Sequence, residues 1–272
     1  MCEILDVPRS TYYQSLDKTI SKREQENNEL TEQIIEIHTA SNKRYGAPKI
    51  HRKLQRKGYK VGIKRVQRLM KKAGIRSIVV KRFRPTPSKE KITERDNLLQ
   101  RDFSTKSMNE KWVGDITHIY TLRHGWCYLA SVMDLHTKKI VGYSFARSMT
   151  TDLITKALDN AYYSQKPAKG LIFHSDLGTQ YTSDEFAKTI EKYDMIHSFS
   201  NKGSPYDNAC IESFHAILKK EEVNHVQYID YESAKVALFK FIEGWYNRKR
   251  IHGSLDYKTP QEVEDNLLNN VA

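Results

Sequence analysis

From residue 111 onward, hydrophobic and polar positions repeat first with the two-residue period of strands and later with the wider period of helices. KWVGDITHIYT puts Val113, Asp115, Thr117 and Ile119 on one side of a strand, and Trp112, Gly114, Ile116, His118 and Tyr120 on the other. GWCYLASVMDL is almost continuously apolar, as a strand buried on both faces must be. HTKK makes a turn into a third strand, IVGYSFA. TTDLITKALDNAYY then places Leu153, Ile154, Ala157, Leu158 and Ala161 on one helical side, and GLIFHSD forms a fourth strand that ends on its carboxylate. TSDEFAKTIEKY opens with a capping-box pattern from Thr182 to Glu185 and predicts the next helix, and MIHSFS predicts a short fifth strand. A Gly-Ser-Pro loop leads to a helix bearing Glu212. A long helix over 231–247 should turn Leu238, Phe241, Ile242 and Trp245 inward, and Tyr257 and Pro260 should pin a last helix, PQEVEDNLL.

The first hundred residues read differently. KREQENNELTEQIIEIHTA carries only an incomplete stripe of Leu30, Ile34, Ile35 and Ile37, which predicts a weakly anchored helical arm over 1–42. PKIHRKLQRKG and GIKRVQRLMKKAGI are short amphipathic segments joined at a Gly-Tyr turn. Ile50, Leu54, Val61, Ile63, Val66, Leu69 and Met70 can share a small core while Lys64, Arg65 and Arg68 face out. Two basic helices with a tight turn over 43–80 suggest a helix-turn-helix. VVKRFRPTPSKEK, within a basic linker over 81–102, has the prolines and charges of an exposed connection to a larger domain over 103–265.

Charge sharpens the division. Residues 1–100 hold 24 Lys and Arg against 11 Asp and Glu, and no acid occurs between Glu36 and Glu90. The remainder is nearly neutral, so the net +12 belongs to the first part, whose natural partner is a polyanion such as nucleic acid. A solvated basic surface is the plainer alternative. Mean hydropathy is −0.68 and no apolar run approaches the roughly 20 residues of a membrane span. With no signal-peptide pattern in MCEILDVPRS, a cytoplasmic location is expected. Cys2, Cys127 and Cys210 are scattered, which suits reduced thiols, two of them buried, and neither a disulfide framework nor a cysteine zinc site.

Three carboxylates stand out from the pattern: Asp115 in WVGDITHIYT, Asp176 in IFHSDLGTQY and Glu212 in SPYDNACIESFHAILKKE. Between the last two lie 35 residues. Each acid alone can be an ordinary strand, turn or helix residue. Two strand-borne acids and one on a helix, beside a basic domain, fit phosphodiester chemistry with carboxylates as hard ligands for Mg²⁺. On the Glu212 helix, Asn208 and Lys219 share the carboxylate's face and are placed for substrate phosphates, with Ile211, Phe214 and Leu218 as the adjacent buried stripe. His174 and Thr117 are candidates to support the acids, although a histidine satisfied within the core explains His174 equally well. In WYNRKRIHGSL, Arg248 and Arg250 can contact DNA or pack against the core.

WVGDIT, HSDLGTQY, SPYDNACIESF and YNRKRIHGSLDYKTP resemble the core of the retroviral-integrase-like DDE transposases encoded by the second reading frame of IS-three-type insertion sequences. RYGAPKIHRKLQRKGYKVGIKRVQRLMKKAGI resembles their helix-turn-helix region, and together the likeness covers residues from about 43 to 262. The resemblance implies an α/β, ribonuclease H-like mixed five-stranded sheet flanked by helices, preceded by a small all-α domain. Asp115, Asp176 and Glu212 would form its catalytic triad holding Mg²⁺, with Mn²⁺ as substitute and two ions per site, and Lys219 would contact the transposon end. It also implies hydrolysis that frees a 3′ hydroxyl, attack by that hydroxyl on target DNA, and no covalent protein intermediate. Partners would be terminal inverted repeats, target DNA and further copies of the chain, with an upstream reading-frame product supplying repeat recognition and a dimerising coil. A nuclease or resolvase of the same fold and a non-catalytic DNA-binding regulator are the two other function classes.

Overall fold

The computed structural model describes residues 8–16, 20–79, 96–201 and 204–269, so most of the expected linker lies outside the described residues. The chain divides into two compact units, residues 1–78 and 79–272.

In the first unit, α1 (Arg9–Leu16) precedes α2 (Lys22–Ala40), α3 (Ala47–Arg56) and α4 (Ile63–Lys72). Ser21 caps α2 by accepting from the Glu24 N–H at 3.2 Å. Pro48 in the first turn of α3 suits a position whose amide has no helical partner. The stretch 22–40 is not the loosely held arm expected. Leu30, Ile34, Ile37 and His38 of α2 are buried together with Ile50, Leu54, Val66, Leu69 and Met70. Acids of α2 also reach the basic helices, Glu36 to Lys57 at 3.1 Å and Glu26 to Arg65 at 3.2 Å. Ile35 and Ile63, both expected inside, are 47% and 39% exposed. Leu30, Ile34, Ile37 and His38 already supply the α2 side of so small a core, and Ile35 and Ile63 stand at its rim.

The second unit is built on a sheet ordered β3-β2-β1-β4-β5, from β1 (Lys111–Thr121), β2 (Gly125–Asp134), β3 (Ile140–Ala146), β4 (Ile172–Ser175) and β5 (Ile196–Phe199). The first three strands form an antiparallel meander, and β4 and β5 run parallel to β1 and to each other. Buried Asp134 fixes the β2–β3 turn, accepting from the amides of His136 at 3.1 Å and Thr137 at 2.8 Å. α5 (Thr151–Gln165) and α6 (Asp184–Lys192) cover one sheet face, where Trp112, Ala130, Val132 and Phe173 meet Leu153, Ala157, Leu158 and Phe186. α5 approaches so closely that a Cβ on Gly142 would lie 2.3 Å from the Ala157 carbonyl oxygen, so only glycine fits there. The N-cap of α6 is Ser183, accepting from Phe186 N–H at 3.3 Å, one residue later than the expected Thr182.

The other face carries Val113, Asp115, Thr117 and Ile119 of β1 and receives α7 (Ala209–Glu221), whose Ile211, Phe214 and Leu218 are fully buried. α8 (Tyr231–Phe239) and α9 (Pro260–Asn269) complete the unit. The expected single helix over 231–247 changes character at Lys240–Tyr246, which winds as π-helix, with Phe241, Ile242, Trp245 and Tyr246 buried. The buried Asn247 side chain next to it accepts from Ile140 N–H and donates to Ile140 C=O, both at 3.0 Å. That docking ties the end of the helix to a distant strand, a constraint invisible to local periodicity. Along the same edge strand, side chains occupy three more carbonyls: Ser164 bonds Val141, Asn160 bonds Tyr143 and Tyr231 bonds Phe145, at 3.1, 3.0 and 2.6 Å. Among the described residues no helix is long and apolar enough to cross a membrane.

Candidate active site

Parallel pairing of β1 with β4 decides where the two aspartates meet. Val113 lies opposite His174, so Asp115 and Asp176 each stand two residues past the same rung. β4 ends at Ser175, and the chain turns so that Gly178 N–H donates to Asp176 Oδ1 at 3.0 Å. A Cβ on Gly178 would come within 2.9 Å of that oxygen, so glycine keeps the carboxylate uncrowded. Glu212 lies in the first turn of α7 and is exposed above the buried stripe.

Asp115 acts electrostatically on both of the other acids. Burial pushes the Asp176 carboxyl up to about 6, Asp115 adds to the rise and the Gly178 amide opposes it. Glu212 is raised by burial and by Asp115, with His215 opposing and Asp176 adding. Among the described residues, however, no three His, Cys, Asp or Glu side chains are already gathered into a cage for an ion. Asp115 Oδ2 instead faces His215 Nδ1 at 3.2 Å, while Asp176 faces its own turn.

The other expected residues separate clearly. Lys219 is half-buried two turns along α7 from Glu212, and Lys64, Arg68 and Arg248 are exposed. Asn208 is not on the surface: 4% exposed, it donates to the Gly114 carbonyl at 3.1 Å, next to Asp115. Its Oδ1 is buried without a partner. Arg250 is also an inward residue rather than a DNA contact. It is 8% exposed and grips Glu221 at 3.0 Å, and the indole N–H of Trp245 donates to the same carboxylate at 3.0 Å. Arg65 is held by Glu26 and by Asn27 Oδ1 at 3.0 Å. Thr117 is buried on the Asp115 face. His174 has both ring nitrogens engaged, by Ser198 at 2.8 Å and Ser200 at 3.1 Å, and burial lowers its pKa to about 4 against the opposing pull of Asp207, so it is a neutral core group. Of the described cysteines, Cys127 is buried and Cys210 half-buried, both free; Cys2 lies outside the described residues.

Two residues at the site escaped the sequence reading. His215 is three positions after Glu212, a spacing that shares a helix face. Tyr181 is buried five positions after Asp176, and its hydroxyl is held protonated by burial and by Asp115 and Asp176. No periodicity marks a loop tyrosine as facing inward.

Known proteins carry the same parts in the same order. Family models described as an integrase core domain match residues 105–205 and 193–260, and an HTH-like domain matches 25–83, a span that includes most of α2. Transposase InsF for insertion sequence IS3A, from Escherichia coli strain K12, is 34% identical over 271 residues, covering 98% of this chain and 94% of that protein. A 31 kDa protein of insertion element IS600 from Shigella sonnei, described as uncharacterized, is 36% identical over 261 residues, 96% of each chain. Among solved structures, the HTLV-2 integrase catalytic core domain in complex with magnesium is 19% identical over 57% of this chain and 95% of that one, with a TM-score of 0.44. The BIV integrase catalytic core is 14% identical over 60% and 99%, also at 0.44. With an HTH-like domain ahead of an integrase core, and end-to-end identity to InsF, the chain belongs to the IS3 family of insertion-sequence transposases.

Proposed function

We propose that this transposase cuts and joins the ends of its element at Asp115, Asp176 and Glu212. The observation that carries this reading is the pairing of β1 with β4, which stands Asp115 and Asp176 past the same rung, together with the pull of Asp115 that raises the carboxyls of both Asp176 and Glu212. Integrase cores work with divalent metal, and the donor set here suits one in kind: three hard carboxylates, and the unpartnered Oδ1 of Asn208, whose amide nitrogen is tied to the Gly114 carbonyl next to Asp115. Two Mg²⁺ ions, replaceable by Mn²⁺, would supply activation of the attacking oxygen and stabilisation of the leaving one. The Gly178 amide orients Asp176, and His215 holds Asp115 from the α7 side. Lys219 and Arg248 meet DNA phosphates. With water attacking, the phosphodiester at the element's end opens and frees a 3′ hydroxyl. With that hydroxyl attacking, a target phosphodiester is exchanged and no atom of the protein becomes bonded to DNA.

Joining separates this reading from a hydrolytic nuclease of the same fold. A pre-cleaved end with a 3′ hydroxyl, incubated with supercoiled plasmid, Mg²⁺ and the protein, is expected to give end-linked nicked circles. Nicking without linkage would leave a nuclease.

DNA holding is assigned to the first unit, through the exposed Lys64, Arg68, Lys71 and Lys72 of α4. Four phosphate contacts give a log–log salt slope of about −3.6, or an affinity loss of about 10²-fold between 50 and 200 mM salt. Lys64→Ala with Arg68→Ala should shallow that slope by about 2 in fluorescence-anisotropy titrations. A salt-independent affinity would remove α4 from the interface. Several copies would assemble on paired ends, together with the product of an upstream frame.

A further inference from the structure

Just ahead of α7, the 3₁₀ turn Pro205–Asn208 holds Asp207, which is 1% exposed and five residues before Glu212. Three donors converge on its two oxygens. Arg101 Nε reaches Oδ1 at 2.7 Å, while Asn97 Nδ2 at 2.8 Å and the Asn201 amide at 2.9 Å share Oδ2. Two of these come from residues 96–102, a strap that precedes β1 and is itself laced to the sheet. Phe199 N–H donates to Asp96 C=O at 3.0 Å, and Ser198 Oγ accepts from the amides of Leu98 and Leu99 at 3.0 and 3.3 Å. Leu99 is 2% exposed, so the strap is packed as well as hydrogen-bonded.

We infer that Asp207 is a positioning residue, and that its grip on Arg101 and Asn97 of the strap sets where α7 begins and therefore where Glu212 stands. A buried carboxylate with three donors is oriented on both oxygens, and an amide in its place must turn an N–H toward a donor. The turn it anchors continues directly into α7 through Asn208, which is tied to the Gly114 carbonyl beside Asp115. Asp207 thus joins three parts of the chain at the point where the Glu212 helix meets the Asp115 strand. Both of its oxygens are engaged by protein donors and it is closed to solvent, whereas Asp176 and Glu212 are exposed. Arg101 keeps 54% of its side chain in solvent, so this half of the pair can be removed without opening the core.

The inference rests on the proposed role of Glu212, and the test separates the two. In the full-length protein, Mn²⁺ binding is measured by electron paramagnetic resonance, end cleavage by kcat and KM for end-bearing DNA, and folding by calorimetry. Asp207→Asn and Arg101→Gln are each expected to weaken Mn²⁺ binding and lower kcat by about 10- to 100-fold, the range for groups that orient ligands, with KM within about twofold. Arg101→Lys should recover part of the loss. Glu264→Gln, which breaks the Lys139–Glu264 pair on α9, is the control for lost stability alone and should leave Mn²⁺ affinity unchanged. Parent-like Mn²⁺ binding and kcat in folded Arg101→Gln, or losses matched by Glu264→Gln at equal stability, would overturn the role of Asp207. Glu212→Gln reports on the underlying reading: if it retains metal and activity, that reading fails first.

Discussion

Asp176→Asn is expected to abolish end cleavage and strand joining together, by at least about 10³-fold in rate. Loss of one hard anionic ligand removes several kcal/mol of transition-state stabilisation, and each 1.36 kcal/mol is tenfold. The amide keeps the shape of the side chain and its acceptor for the Gly178 N–H, so DNA binding through the first unit should persist. A regulator that merely binds DNA would not need the charge, and a variant that still cuts and joins would exclude the triad. The same substitution should stabilise the protein when metal is chelated. The folded carboxyl titrates at about 6 instead of 3.8, so its ionisation opposes folding as pH rises through 6 and does not do so below about 4. Two pKa steps would amount to about 3 kcal/mol, but Asp176 is open to solvent on one side and screening reduces this to about 1 kcal/mol. In EDTA, calorimetry at pH 7.5 should show Asp176→Asn melting roughly 2–4 °C higher than the parent, with no gain at pH 4. A gain confined to pH 4 would reverse the assigned sign.

Arg250→Met is expected to be among the most destabilising single changes in the second unit, for a reason unrelated to DNA. It would take the guanidinium away from Glu221, a buried charge at 5% exposure to which the Trp245 indole N–H also donates. Breaking one side of such a pair costs about 3–5 kcal/mol. For a unit of this size that lowers Tm by roughly 10 °C. Adding Glu221→Gln should restore most of the loss, because the amide still accepts from Trp245 and carries no charge. By contrast Arg248→Ala, at an exposed neighbour, should weaken DNA binding without moving Tm. If Arg250→Met melts within about 2 °C of the parent, the clamp contributes little.

These two arginines show where the sequence was legible and where it was not. WYNRKRIHGSL presents both as members of one basic run, and only a distant glutamate on α7 decides that one turns inward. The strand meander and the stripe Ile211, Phe214 and Leu218 followed from alternation and spacing, because burial repeats with the period of the element. The parallel register that stands Asp115 and Asp176 past the same rung is a contact between strands about sixty positions apart, and alternation does not encode it. Ile35 and Ile63 misled because apolar character alone cannot tell the centre of a small core from its edge. Asp207 carried no signal in the sequence. Two of its three donors come from about a hundred positions upstream, and no local pattern records a contact of that range.

The bonds from Ser164, Asn160, Tyr231 and Asn247 to the backbone of β3 bear on whether another chain can extend this sheet. An outermost strand with free carbonyls is a template on which another copy can add its own strand, and chains concentrated on a duplex would be the first to polymerise that way. Here four carbonyls of that strand are taken by the molecule's own side chains, and Asp96 takes a backbone bond from Phe199 of β5 at the opposite margin. A strand arriving at β3 would have to break those internal bonds first, so the sheet ends where the fold itself closes it.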